Sequence, residues 1–350
     1  MSESEARRPK PVMFGCEGTR LSRIERDIFR SADPFGFILF KRNCESPDQI
    51  RYLIQELRQA AGRDTVSIAI DQEGGRVSRL QPPHWPKYPA ARAFGLMYER
   101  DADWGVEAIK LYARILSYEL VNLGIAINCA PVLDLYNPTG TEAMGDRAFS
   151  ERPTIVAALA RAQAETFLAS GILPVIKHLP GHGRLKTDPH HVLPQIDAGL
   201  TELETQDFVP FELLKDLPLG MNSHAVFRAL DPDKPASLSS LVNNDIIRDI
   251  IGFDGVLFSD DICMKALDGK PADIARHALD AGNDIVLHCN GDASEMEAVA
   301  RVLEPMEDQS WARWQHARAM VAPLNPAYNP GEDAARLDVL LGGLAFDATA

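Results

Sequence analysis

The stretch Ile176 to His191, IKHLPGHGRLKTDPHH, gathers Lys177, His178, His182, Asp188, His190 and His191 into sixteen residues. An apolar run from Ile172 to Ile176 leads into it, and a Gly181-His182-Gly183 turn follows. This is the pattern of a buried strand that opens into a functional loop. A surface loop with incidental histidines is the plainer alternative.

Three chemistries fit these residue types. A metal hydrolase would use His178 and His182, four apart, with His190, His191, Asp71 and Asp260 as further ligands. Four-apart spacing brings two histidines together on a helix, however, and Leu179-Pro180-Gly181 cannot form one. Phosphate binding by the glycine turn is the second, but a lone Gly-x-Gly lacks the longer glycine-rich context of nucleotide loops. Glycoside hydrolysis is the third. It needs a carboxylate beneath the anomeric carbon, a proton donor above the leaving oxygen, and polar groups that hold several hydroxyls. Asp71, Arg79, Arg147, Lys177 and His178 suit that clamp.

The elements that must position these groups alternate along the chain. Strands are expected over Pro11–Glu17, Phe35–Phe40, Thr65–Asp71, Ile125–Leu135, Leu173–His178, Leu219–His224, Gly255–Asp260 and Asp284–Cys289. Helical patterns fall at Ser22–Ser31, Pro47–Ala61, Asp103–Leu123, Pro153–Ser170, Asp207–Leu214, Leu241–Ile251, Pro271–Ala281 and Ala293–Leu303. A Pro-rich loop with Trp85 and Tyr88 separates the third strand from its helix. Gly62, Gly124, Gly171, Gly252 and Gly282 sit just past helices, and Pro47, Pro153 and Pro271 near helix starts.

Eight strand–helix units predict an α/β fold, a closed (β/α)8 TIM-type barrel in a single domain. Residues 1–305 would form the barrel and 306–350 a helical extension packed on it. In this architecture the site lies at the carboxyl ends of the strands. Those ends carry Glu17, Lys41 with Arg42, Asp71, Asp134, Lys177 with His178, Ser223 with His224, Asp260 with Asp261, and His288. Glu17, Asp134, Asp261 and His288 read better as caps and supporting partners than as reacting groups.

Hydrophobic residues make up 45% of the chain and charged residues 25%, an ordinary globular composition. A net charge of −14 disfavours nucleic acid as a partner. Five scattered cysteines without Cys-x-x-Cys spacing fit free thiols in a reducing compartment. The start MSESEARRPK has no apolar run, and no stretch of eighteen apolar residues exists, so neither a signal peptide nor a membrane span is expected. The composition points to a cytoplasmic protein without a membrane partner.

Several motifs together resemble family 3 glycoside hydrolases, specifically the short single-domain bacterial β-N-acetylglucosaminidases of peptidoglycan recycling. They are Ile70-Asp71-Gln72-Glu73-Gly74-Gly75-Arg76-Val77, Gly145-Asp146-Arg147-Ala148-Phe149, Lys177-His178-Leu179-Pro180-Gly181-His182-Gly183 and Phe258-Ser259-Asp260-Asp261. Leu39-Phe40-Lys41-Arg42-Asn43 and Ala130-Pro131-Val132-Leu133-Asp134 also look like the family, and the resemblance runs from about residue 12 to about residue 300.

The resemblance implies a retaining mechanism with Asp260 as the nucleophile and Asp71, Arg79, Arg147, Lys177 and His178 holding the sugar. It implies an Asp-x-His acid/base pair, here Asp188 and His190, in place of the usual second carboxylic acid. His191 is an adjacent decoy. A histidine titrates near neutrality, so it can give a proton in one half-reaction and take one in the next. The implied substrate is a small carbohydrate, an N-acetylglucosaminyl muropeptide. No cofactor or metal is implied, and the chain is expected to be a monomer or weak oligomer.

Pro189 stands where the family has serine and restricts Asp188 to extended conformations. Cys263, just after Asp260, reads as a small buried hydrophobe. The alternatives are a β-glucosidase or β-xylosidase of the same family, or a sugar-binding barrel that has lost catalysis.

Overall fold

Apolar runs too short for helices make the strands, and glycines end the helices between them. The computed structural model describes residues 8–141, 144–186, 193–265, 267–325 and 327–342. Strands β1 (Lys10–Phe14), β2 (Pro34–Leu39), β3 (Ser67–Ile70), β4 (Ile127–Asn128), β5 (Leu173–Leu179), β7 (Leu219–Asn222), β9 (Val256–Asp261) and β10 (Ile285–His288) close a parallel barrel in that order. The last strand pairs with the first through Val12–Val286, Met13–Leu287 and Phe14–His288. Two further strands, β6 (Gln195–Ile196) and β8 (Val226–Phe227), form a small parallel sheet that clips the chain after β5 to the chain after β7.

Helices α1 (Arg23–Ala32), α2 (Pro47–Ala61), α3 (Ala91–Arg100), α4 (Ala102–Leu123) and α5 (Pro153–Ala169) cover the first half of the barrel. The short α6 (Leu200–Glu202) and α7 (Val209–Leu213), a π-helical stretch over Val242–Ile250, α8 (Pro271–Asp280) and α9 (Ala293–Val302) cover the second. Ser22 caps α1 in a reciprocal arrangement with Glu25, and Gly62 ends α2 in the left-handed conformation at φ 67°.

Two apolar layers result. Residues such as Phe14, Ile70, Ile176 and Leu257 pack between strands and helices. Met13, Phe35, Ile38, Val175, Met221 and Phe258 fill the barrel interior. Helix α10 (Asp308–Ala319) closes the amino-terminal end of the barrel, where the Trp314 ring meets Phe35 edge-on at 4.6 Å. Helix α11 (Pro330–Leu341) lies on α4, tied by Arg114–Asp333 and Arg336–Glu107 ion pairs. No helix among the described residues is long and apolar enough to cross a membrane.

The structure departs from the sequence expectation in three places. Helix α3 occupies part of the supposed Pro-rich loop. Gly95 in its middle weakens the helical signal, yet a Cβ there would stand 1.7 Å from the Phe149 carbonyl oxygen, so close packing demands the glycine. The fourth strand is much shorter than expected, because the chain leaves the ladder after Asn128 and touches β5 again only at Val132–Lys177. The helix expected at Asp207–Leu214 starts earlier, at Leu200, and passes through a wide turn over Leu203–Asp207.

Candidate active site

The carboxyl ends of the strands surround a cleft of about 280 Å³ whose walls include Asp71, Glu73, Arg79, Arg147, Lys177, His178, His182, Asp260 and Asp261. That volume falls just below the roughly 300–1,000 Å³ range of ligand pockets and suits one sugar ring better than a chain of them.

The loop after β3 is built around Gln72. Its side-chain oxygen accepts from the backbone amides of Arg79 at 2.7 Å and Leu80 at 3.0 Å, and its own backbone N–H and carbonyl are held by the Asn128 side chain. Gly74 and Gly75 turn the chain sharply with φ of 103° and 57°, and a Cβ on Gly74 would meet the Pro89 carbonyl oxygen at 2.2 Å. The Asp-Gln-Glu-Gly-Gly sequence thereby sends Asp71, Glu73 and Arg79 back over the strand ends.

Lys177 is buried at the end of β5, where its Nζ lies 2.9 Å from Asp71 Oδ1 and 2.7 Å from Glu73 Oε1. Arg147 grips Glu73 with two bonds of 2.8 Å, and Arg79 donates to Asp71 Oδ2 at 3.1 Å. Burial alone would push both carboxyls up. Lys177 and Arg79 outweigh it at Asp71 and hold that carboxyl far below the usual range. Arg147 and Lys177 hold Glu73 at about 2. Burial likewise disfavours the ammonium of Lys177, but Asp71 and Glu73 raise its pKa above the ordinary value. Three cations and two carboxylates thus form one fixed, charged plate.

His178 and His182 come together without a helix, contrary to the spacing expectation. The Gly181 amide bonds back to the His178 carbonyl at 2.8 Å, Gly181 takes φ 124°, and the two rings stack with centroids 3.9 Å apart. Asp134, fully buried, organises them. It accepts from the His182 amide at 2.7 Å, the His178 amide at 3.2 Å, and His178 Nδ1 at 2.7 Å. Burial, followed by Arg147, lowers His178 to about 3, so its ring is neutral at pH 7. The bond to Asp134 then assigns the proton to Nδ1 and leaves Nε2 as an acceptor. His182 Nδ1 pairs with Ser223 Oγ at 2.9 Å, and burial drives its pKa well down. Asp134, His178 and His182 could geometrically surround an ion, but His178 Nδ1 is already hydrogen-bonded to Asp134 and His182 Nδ1 to Ser223.

Asp260 lies at the end of β9 and lines the cleft with the charged plate. Its Oδ1 accepts from the Asp261 amide at 2.8 Å. Asp261 faces the backbone instead, its Oδ1 accepting from the amides of Cys263 at 3.0 Å and Cys289 at 3.1 Å. His224 Nε2 donates to the Asp261 carbonyl at 3.0 Å, and Arg42 donates to the carbonyls of Cys16 and Cys289. These two brace strand ends.

Glu17 is exposed, and Cys263 is only half-buried, a correction to its expected place in the core. Asp188, His190 and His191 lie outside the described residues. Glu73 is the residue that sequence reasoning undervalued. Its signal was its place two residues past Asp71, beside a glycine turn that reverses the chain.

Barrel and strand-end cleft together have the architecture of a (β/α)8 enzyme, and residues 19–319 match the Glycosyl hydrolase family 3 N terminal domain. The chain belongs to glycoside hydrolase family 3 and is a glycoside hydrolase of the β-N-acetylhexosaminidase group. It is 38% identical over 302 residues to a Beta-hexosaminidase of Alkalilimnicola ehrlichii, covering 85% of this chain and 84% of the relative. A Beta-hexosaminidase of Thioalkalivibrio sulfidiphilus is 38% identical over 303 residues, covering 85% of each. Among solved structures, NagZ from Neisseria gonorrhoeae in complex with N-trifluoroacetyl-D-glucosamine superposes with a TM-score of 0.84 at 31% identity, covering 95% of this chain and 98% of that one.

Proposed function

We propose that the protein is a retaining exo-glycosidase that removes terminal non-reducing β-N-acetylglucosamine from cell-wall-derived muropeptides in the cytoplasm. The observation that carries this reading is Asp260, a carboxylate at a strand end in a one-sugar cleft shared with a plate of fixed charges.

In this reading Asp71, Arg79, Arg147, Lys177 and His178 hold the sugar hydroxyls. Lys177 and Arg147 donate, the Asp71 carboxylate accepts, and neutral His178 offers its free Nε2 as an acceptor. Asp260 attacks the anomeric carbon as the bond to the leaving oxygen breaks, and the electron pair of that bond stays on the leaving oxygen. His190, oriented by Asp188, protonates the leaving oxygen. The neutral imidazole then takes a proton from water, whose oxygen displaces Asp260 with a second inversion. Net configuration is retained, and sugar and aglycone part with the elements of water.

The test is a comparison of chromogenic β-N-acetylglucosaminide, β-glucoside and β-xyloside at equal concentration, followed by an N-acetylglucosaminyl anhydromuropeptide. A strong preference for the N-acetylated sugar, with release of N-acetylglucosamine from the muropeptide, is expected. A better rate on the glucoside would replace this reading with that of a β-glucosidase.

A further inference from the structure

We propose that Cys263, His288 and Glu295 form a binding site for a soft divalent cation, zinc before others, beside the sugar cleft rather than within it. The three residues come from three elements: the loop after β9, the end of β10, and the first turn of α9. One ligand atom from each lies within 4.8 Å of the others.

The second observation is His288 itself. It is completely buried, yet among the described residues neither Nδ1 nor Nε2 has a hydrogen-bond partner. Buried imidazoles rarely go unpaired, because each polar nitrogen has given up water for nothing. His288 Nε2 stands 3.5 Å from Glu295 Oε2. That is long for a hydrogen bond. It is close to the separation of about 3.3 Å that two zinc bonds of ~2.0–2.1 Å make at the tetrahedral angle.

The surroundings hold the three groups in register. Asp261 fixes the Cys263 and Cys289 amides through one oxygen, locking the loop after β9 against the end of β10. Asp292 caps α9 through the Glu295 amide at 2.9 Å. Asn290 Nδ2 donates to Glu295 Oε2 at 2.6 Å, so this carboxylate oxygen already has one polar partner that would steady it as a ligand. Thiolate, imidazole and carboxylate favour zinc or cobalt over magnesium or calcium. On binding, the Cys263 thiol gives its proton to the buffer and the sulfur bonds the metal, while neutral His288 binds through a ring lone pair and water fills the fourth position. The metal would tie the ends of β9 and β10 to α9 behind Asp260. The site is independent of the catalytic reading.

Cobalt distinguishes this site from the Asp134–His178–His182 set, which has no sulfur. Metal-stripped full-length protein is titrated with Co²⁺ and then with Zn²⁺. A sulfur-to-cobalt charge-transfer band that saturates at one equivalent and is displaced by zinc is expected, with a rise in Tm on zinc binding. Cys263→Ser should abolish the band. Glu295→Gln, a mild change at a partly exposed position, should fold normally, keep its glycosidase rate, and bind cobalt ~10-fold or more weakly. No band in the parent protein, a band that survives Cys263→Ser, or unchanged affinity in Glu295→Gln would each overturn the proposal.

Discussion

Lys177 is buried because two carboxylates are buried with it, and each justifies the other. A lone ammonium at this depth would lose its proton. Glu73→Gln tests that interdependence. It leaves Arg147 without its bidentate partner and Lys177 with Asp71 as its remaining ion pair in the cleft. We predict a fall in kcat/KM on the order of 10²-fold or more, since a small misplacement of the groups proposed to hold the sugar costs that much. A near-normal rate would mean that the plate does not hold substrate.

His178 supplies a pH prediction. Its folded pKa of about 3 lies below the ordinary 6.5, so between those values the unfolded chain binds more protons than the native state. Stability from this group is therefore fully present above about pH 6.5 and is lost as pH falls towards 3. Glu73, held at about 2 against 4.5, acts in the same direction at lower pH. Urea unfolding of the parent and of His178→Gln from pH 7 to 4 should show a shallower decline in the variant. Parallel curves would place the loss elsewhere. At this scale the placing of Asp71, Arg79, Arg147, Lys177 and His178 at the strand-end cleft was legible from type and motif. The pairing of His178 with His182 was not, because it depends on a backbone turn that spacing rules for helices do not describe.

Among the elements, the loop after β5 carries the acid/base proposal. Its downstream end is fixed where Gln195–Ile196 pairs with Val226–Phe227. We predict that His190→Ala slows substrates with poor leaving groups far more than activated aryl glycosides, which depart without a proton. Equal slowing of both, with the leaving-group dependence appearing instead in His191→Ala, would assign the role to the other histidine. The barrel strands were readable from apolar runs between glycines. Helix α3 and the two-residue strands were not, because Gly95 answers to a contact with Phe149, distant in sequence, and β6 and β8 are too short to show periodicity.

For the whole molecule, the charged cleft and an aromatic plug sit at opposite ends of one barrel. The strand ends hold charges, and α10 seals the other end with Trp314 against Phe35. Trp314→Ala should cost about 3–5 kcal/mol of unfolding free energy, while the folded fraction keeps its kcat on a chromogenic substrate. A loss of kcat matching the loss of stability would show that the two ends are coupled. The most direct test of Asp260 as the nucleophile is covalent trapping with a 5-fluoro N-acetylglucosaminyl fluoride, followed by mass mapping of the labelled peptide. Time-dependent inactivation with the sugar on Asp260 is predicted, and its absence in Asp260→Asn. An adduct on Asp261 or Glu73, or turnover with inversion and no adduct, would contradict it.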